Sequence, residues 1–372
     1  MNLCYIYIYI YIYIYIYIYI YIYRWMGCTT LIIQVEETMS TDQSDIEEEK
    51  IKQQYAQLLT ELPRAVGSFG THLHLYKGSW LPPPVLLAAM LMQTHFKHRS
   101  TDIFLSSFMK SGTTWLRSLM FTILNRSRFD FSDHPLLRKG PHECFPIVDL
   151  FQSTDYPISD TEDLSFPRLF ASHFAHNVLP ASITDPSSGC KFVYVCRDPK
   201  DVLISTWKFI HKMTPKELPQ ISLDQVFQMF CGGVMEYGPY WDHVLGFWKA
   251  ALESPDKILF FKYEEIKRDP EAHVKKLAEF MGMPISVQEE DNGMVKKIVE
   301  FCSLEHLTSL EINKIGAQRF SSGHVVPNHA FFRRGEVGDW KSHLTKEMKD
   351  QIDGITHDKF KGSGLTIGAT PK

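Results

Sequence analysis

The stretch Asp102-Ile-Phe-Leu-Ser-Ser-Phe-Met-Lys-Ser-Gly-Thr-Thr-Trp-Leu-Arg-Ser-Leu-Met-Phe-Thr-Ile-Leu124 decides the reading of the chain. Asp102 to Phe108 is a short, mostly apolar run of strand length, and Thr113 to Leu124 spaces its apolar residues at helical intervals. A strand therefore feeds a loop, and the loop feeds a helix. In the loop, Gly112 permits a tight turn and close approach of a ligand to the backbone. The N–H groups of the loop and helix start converge on one point, an anion site. Lys110 adds a positive charge, and Ser111, Thr113 and Thr114 add hydroxyls. Read by itself, the segment is equally an ordinary strand-to-helix turn with a solvated lysine.

The same alternation recurs downstream. Leu169 to Ser172 is short and strand-like, Lys191 to Cys196 reads as a buried strand, and Ile258 to Tyr263 is another, followed by a Lys/Glu-rich helix. Asp198-Pro199 starts a helix, with Asp as N-cap and Pro in the first turn. Upstream, Ile51, Tyr55, Leu58, Leu59 and Leu62 keep helical spacing, Pro63 to Pro84 is turn-rich, and Val85 to Phe96 reads as an apolar helix. Strands alternating with helices predict an α/β fold: one domain with a central, mostly parallel β-sheet flanked by helices and a P-loop-like phosphate loop.

Residues 5–23 alternate strictly between Tyr and Ile. The run is long enough to cross a bilayer as a helix, but tyrosine belongs at membrane interfaces rather than through a span. No basic residue precedes it and no small-residue cleavage site closes it, against a signal peptide. A TA-repeat read in frame gives this pattern. Residues 1–38 are therefore expected to be a low-complexity extension, residues 39–372 the working domain, and no membrane partner is expected. The net charge of −4 lacks the basic surplus of a nucleic-acid binder. Seven scattered cysteines without zinc spacing fit reduced thiols in a cytoplasmic protein, and no metal site is expected.

The loop lacks the G-x-x-x-x-G-K-[ST] of nucleoside triphosphatases. Instead, Lys110-Ser-Gly-Thr-Thr-Trp115 resembles the 5′-phosphosulfate-binding loop of the cytosolic sulfotransferases, with Met109 where that family usually has Pro. The resemblance runs from roughly Tyr55 to Leu365 and includes phrases of the plant branch, Asn177 to Pro180 and Trp241 to Lys249. It implies that Lys110 contacts the 5′-phosphate and the bridging oxygen of 3′-phosphoadenosine-5′-phosphosulfate (PAPS), and that Trp115 stacks on adenine. Tyr194 to Ser205 is similar to the family's 3′-phosphate segment, placing Arg197 and Ser205 at contact positions. Phe331-Phe-Arg-Arg-Gly-Glu-Val-Gly-Asp-Trp-Lys341 is similar to the signature R-K-G-x-x-G-D-W-K, matching Arg333 and Gly335, with Arg334 replacing Lys. Tyr263 matches a tyrosine near adenine.

The segment Arg168 to His173 resembles the one that carries the family's catalytic histidine. His173 is then the general base, His176 its rival three residues on, and Ala171 stands where animal members often have Lys. The resemblance implies sulfonate transfer from PAPS to a hydroxyl of a small organic acceptor. Phe108, His142, Phe145 and Phe174 are candidates for the acceptor pocket. The residues leave the acceptor open among phenols, flavonoids, hydroxyjasmonates and steroids. The family's dimer signature survives only in degraded form at Lys341, Thr345, Lys346 and Asp350, which implies a monomer or weak homodimer. The competing readings are a P-loop-like small-molecule kinase and a non-catalytic nucleotide-binding protein.

Overall fold

The computed structural model describes residues 43–151, 164, 166–319 and 325–368. The Tyr-Ile run and the expected boundary at Met39 lie outside the described residues. By compactness the chain divides into residues 1–52 and 53–372, and the sheets and the site lie in the second unit. Among the described residues no helix is long and apolar enough to cross a membrane.

The turn-rich stretch after the first helix, Gln43–Glu61, holds more order than its composition suggests. Three short strands, β1 (Arg64–Val66), β2 (His72–Tyr76) and β3 (Ser79–Leu81), form an antiparallel sheet. Lys77 and Gly78 connect the last two with φ of 48° and 79°. Positive φ at both central residues is the hairpin geometry that matches strand twist. Strands of three to five residues are too short for their alternation to stand out among turn residues.

Four parallel strands form the central sheet: β4 (Ile103–Ser107), β5 (Leu169–Ser172), β6 (Lys191–Cys196) and β7 (Ile258–Lys262), in the order β5-β4-β6-β7. The expected strand to Tyr263 stops one residue earlier. Tyr263 instead opens the helix Tyr263–Arg268, whose first turn carries Glu264 and Glu265, acids that a helix N-terminus favours. Both sheet faces are covered. Phe104, Phe170, Phe192 and Tyr194 point into one apolar core, while Ile103, Leu105, Leu169, Val193 and Val195 point into the other. That division follows from the period of two along a strand. Phe104 stacks on its register partners Phe170 and Phe192, with ring centroids 5.2 and 5.1 Å away. At the sheet's base, buried Arg168 makes a bidentate pair with buried Asp102, at 2.8 and 2.5 Å.

The strand order places the site. From β4 the chain crosses to β5 on one side, and from β6 it crosses to β7 on the other. The crevice between β4 and β6 is therefore a topological switch point, where open α/β sheets bind ligands beyond the carboxyl ends of their strands.

Candidate active site

Every strand of the central sheet delivers a side chain to one cavity of about 290 Å³. Lys110 and Gly112 follow β4, His173 follows β5, Arg197 follows β6 and Tyr263 follows β7; Thr113, Thr114, Trp115, Ser205, Arg333 and Gly335 also line it.

The loop after β4 turns through left-handed backbone at Lys110 (φ 67°) and Gly112 (φ 119°) and then enters the helix Thr113–Asn125. A Cβ on Gly112 would lie 2.8 Å from Cδ2 of Tyr263, so glycine is required twice over. The Thr113 hydroxyl meets that of Ser107 at 2.6 Å, and Thr114 meets Nε2 of His142 at 2.9 Å. Lys110 Nζ sits 4.0 Å above the Phe209 ring. Burial, then the charges of Lys212, Arg333 and Arg197, lowers its pKa to about 7. A cluster of cationic side chains of this kind suits a polyanion.

Arg197 is buried with its guanidinium 4.5 Å from the centre of the Tyr263 ring. It donates to the carbonyl of Glu336 at 2.7 Å and lies 3.6 Å from Asp201. Tyr263 donates its hydroxyl to the carbonyl of Gly335 at 3.0 Å, and its ring meets Trp115 edge-on at 5.7 Å. The Asp201 carboxylate accepts from the backbone N–H groups of Gly338 and Trp340 at 2.7 and 3.1 Å, fastening their loop to the helix Pro199–Met213. Asp198 caps that helix through the N–H of Lys200, as its sequence predicts. Arg333 and Arg334 share the Asp339 carboxylate. Only Arg333 lines the cavity; Arg334 is more than half exposed and faces a neighbouring basic groove. Ser111 Oγ and the Nε atoms of Arg197 and Arg333 are buried without a hydrogen-bond partner among the described residues.

His173 presents an imidazole in a defined state. Its Nδ1 lies 2.8 Å from the Ser107 carbonyl, which can only accept. Nδ1 therefore carries the proton, and Nε2 keeps its lone pair. Burial lowers the pKa of His173 to about 4, helped by the charges of Arg117 and Lys110 and opposed by the Ser107 bond. The ring is neutral at pH 7. His176 is not in the cavity; it packs on Phe247 with centroids 5.2 Å apart.

Of the four acceptor-pocket candidates, only His142 lines the cavity, stacked on Phe331 at 3.7 Å. Phe108, Phe145 and Phe174 are core residues instead: a run of apolar residues cannot by periodicity separate a pocket wall from a core. Sequence reasoning missed Phe209, Phe331 and Lys212 beside the loop. It also missed Arg117, which is buried and clamps the carbonyls of Pro141, His142 and Phe145. An arginine inside the apolar spacing of the Thr113–Asn125 helix was the available signal for it.

A family model described as the sulfotransferase domain matches residues 100–364. The chain belongs to the sulfotransferase family. The match sets aside the kinase reading. Cytosolic sulfotransferase 17 of Arabidopsis thaliana is 42% identical to this sulfotransferase over 326 residues, 87% of this chain and 92% of that one. Cytosolic sulfotransferase 16 of the same plant is 44% identical over 319 residues, 85% of this chain and 93% of that one. Among solved structures, an Arabidopsis thaliana protein provisionally assigned as a steroid sulphotransferase superposes with a TM-score of 0.65 at 32% identity, covering 90% of this chain and all 100% of that one. A mouse sulfotransferase complexed with PAP shares the fold, with a TM-score of 0.59 at 24% identity over 78% of this chain and 95% of that one.

Proposed function

We propose that this sulfotransferase uses PAPS as donor and sulfonates the hydroxyl of a flat, lipophilic alcohol or phenol, of the flavonoid, hydroxyjasmonate or steroid kind. The observation that carries the reading is one cavity holding a neutral imidazole with a bare Nε2, a buried ammonium, and two guanidinium Nε atoms without partners among the described residues. A donor with phosphates at both ends fits those orphaned groups.

Lys110, Ser111, Gly112, Thr113 and Thr114 hold the 5′-phosphosulfate end. Arg197, Ser205, Arg333 and Gly335 hold the 3′-phosphate, with Arg334 acting from outside through Asp339. Trp115 and Tyr263 flank the adenine. The donor supplies an electrophilic sulfur. His173 Nε2 accepts the proton of the acceptor hydroxyl as its oxygen bonds to sulfur. The sulfur–oxygen bond to the 5′-phosphate breaks, and Lys110 stabilises the charge left there. Orientation and fixed charge supply most of the acceleration. His142, Phe209 and Phe331 form an aromatic wall that suits a flat acceptor.

We assign the activity to residues 39–372, in the cytoplasm, as a monomer or weak homodimer; Lys346 and Asp350 of the degraded dimer signature pair with each other at 2.7 Å. The test is a screen of pooled phenols and hydroxylated lipids with sulfur-labelled PAPS, run on the full chain and on the chain from Met39. Label transfer by both supports the reading. Transfer by neither, or binding of ATP with magnesium in preference to 3′,5′-adenosine bisphosphate, overturns it.

A further inference from the structure

The general base stands on a strand end, and a strand end is a poor anchor unless something holds it. Asp149 does. It is fully buried in the short turn Val148–Leu150, beside the isolated parallel bridge between Ile147 and Ala171. One carboxylate oxygen accepts the backbone N–H of His173 at 2.8 Å, and the other accepts the Ser172 hydroxyl at 2.9 Å. That hydroxyl in turn accepts the N–H of Phe174 at 2.9 Å. The Tyr237 ring packs on the His173 ring with centroids 5.5 Å apart. Tyr237 is itself held in left-handed backbone (φ 64°), with its N–H on the Trp80 carbonyl at 2.8 Å. At its other end, the His173 carbonyl accepts Nε2–H of buried His243 at 3.0 Å, whose Nδ1 accepts the Tyr194 hydroxyl at 2.8 Å.

We propose that Asp149 is a positioning residue for sulfonate transfer, fixing the His173 backbone so that Nε2 meets the acceptor hydroxyl. The inference rests on His173 being the base. A buried carboxyl with two donors and, among the described residues, no ion pair is a costly means of merely ending a strand. Its two donors belong to His173 and the residue before it, and so fix the backbone that carries one imidazole. Displacement of a reacting group by about 1 Å costs roughly 10² in rate.

The experiment is a double-mutant cycle in the full chain, with 2-naphthol and the hydroxyl compounds that turn over in the screen as acceptors. Asp149→Asn leaves two donors facing one acceptor oxygen. It is expected to lower kcat by about 10²-fold, to leave the affinity for 3′,5′-adenosine bisphosphate unchanged, and to cost nothing further in a His173→Ala background. An equal loss in both backgrounds, or full kcat in a folded Asp149→Asn enzyme, overturns the proposal. If Asp149→Asn does not fold, Ser172→Ala removes one hydroxyl of the same set, with an expected loss of about threefold to tenfold, and the same cycle decides. High activity of His173→Ala alone would instead overturn the base assignment.

Discussion

The Nδ1–H of His173 is donated to the carbonyl oxygen of Ser107 at 2.8 Å. One hydrogen bond thus joins the end of β5 to the end of β4, three residues before Lys110. It fixes the tautomer, and with it the one nitrogen of this ring that can take a proton from an acceptor. Burial keeps that nitrogen unprotonated far below neutrality.

The pH dependence of kcat/KM at low donor concentration follows from two groups. The base must be neutral, so activity is lost as pH falls through about 4. Lys110 must be charged, so activity is lost as pH rises through about 7 in the free enzyme. His173→Ala should bring turnover near background, a loss of about 10²–10⁴, while His176→Ala retains most of it. A dispensable His173 beside an essential His176 would move the base.

Lys110 should take up a proton when a nucleotide binds. A bound phosphate raises its pKa, so above pH 7 each further unit weakens binding of 3′,5′-adenosine bisphosphate by up to about tenfold until the pKa of the bound form is reached. Calorimetry at pH 8 in buffers of different ionisation enthalpy measures the uptake, expected to approach one proton. Lys110→Met should abolish it.

Arg197→Ala and Arg333→Ala should weaken 3′,5′-adenosine bisphosphate much more than adenosine 5′-phosphate, by about 1.5–3 kcal/mol each. Titrations of the two nucleotides against each variant decide this. Equal losses for both nucleotides would remove the arginines from the 3′-phosphate site.

Gly112→Ala places a methyl 2.8 Å from the Tyr263 ring in backbone at φ 119°. Strain of about 1–3 kcal/mol is expected there, with nucleotide affinity falling by roughly tenfold or more. A thermal shift titration with 3′,5′-adenosine bisphosphate reads both effects.

Asp102→Asn breaks the buried pair with Arg168 and should destabilise the protein by about 3–5 kcal/mol without touching the cavity. Denaturant unfolding measures it. The double variant Asp102→Leu with Arg168→Met should recover much of the loss, because no buried charge is left alone.

Local determinants are legible in the order of the amino acids. The runs Leu169–Ser172 and Lys191–Cys196 are strands at the bounds their composition predicts, and Asp198 caps the helix it precedes. A buried strand, a capping acid or a glycine turn is decided by interactions within a few residues, and each leaves a mark in the adjacent residues. The loop Lys110 to Trp115 is of this kind. Its charge, hydroxyls and glycine lie side by side, so its suitability for an anion can be read directly.

What only the tertiary structure decided is how distant groups act on one another. Arg197 reaches Glu336 across 139 residues, and His243 reaches His173 across 70. Nothing in the phrase Val148-Asp-Leu150 announces that its carboxylate ends on the backbone of His173. Nothing in Arg333-Arg334 says that one lines the cavity and the other faces outward. The sequence by itself determined which chemical groups are present and which short segments are strands, turns and helices. The parallel sheet, by gathering four strand ends at one edge, determined which of those groups share a cavity. Their protonation states were decided there too, because desolvation and neighbouring charge depend on distance in space and not on distance along the chain.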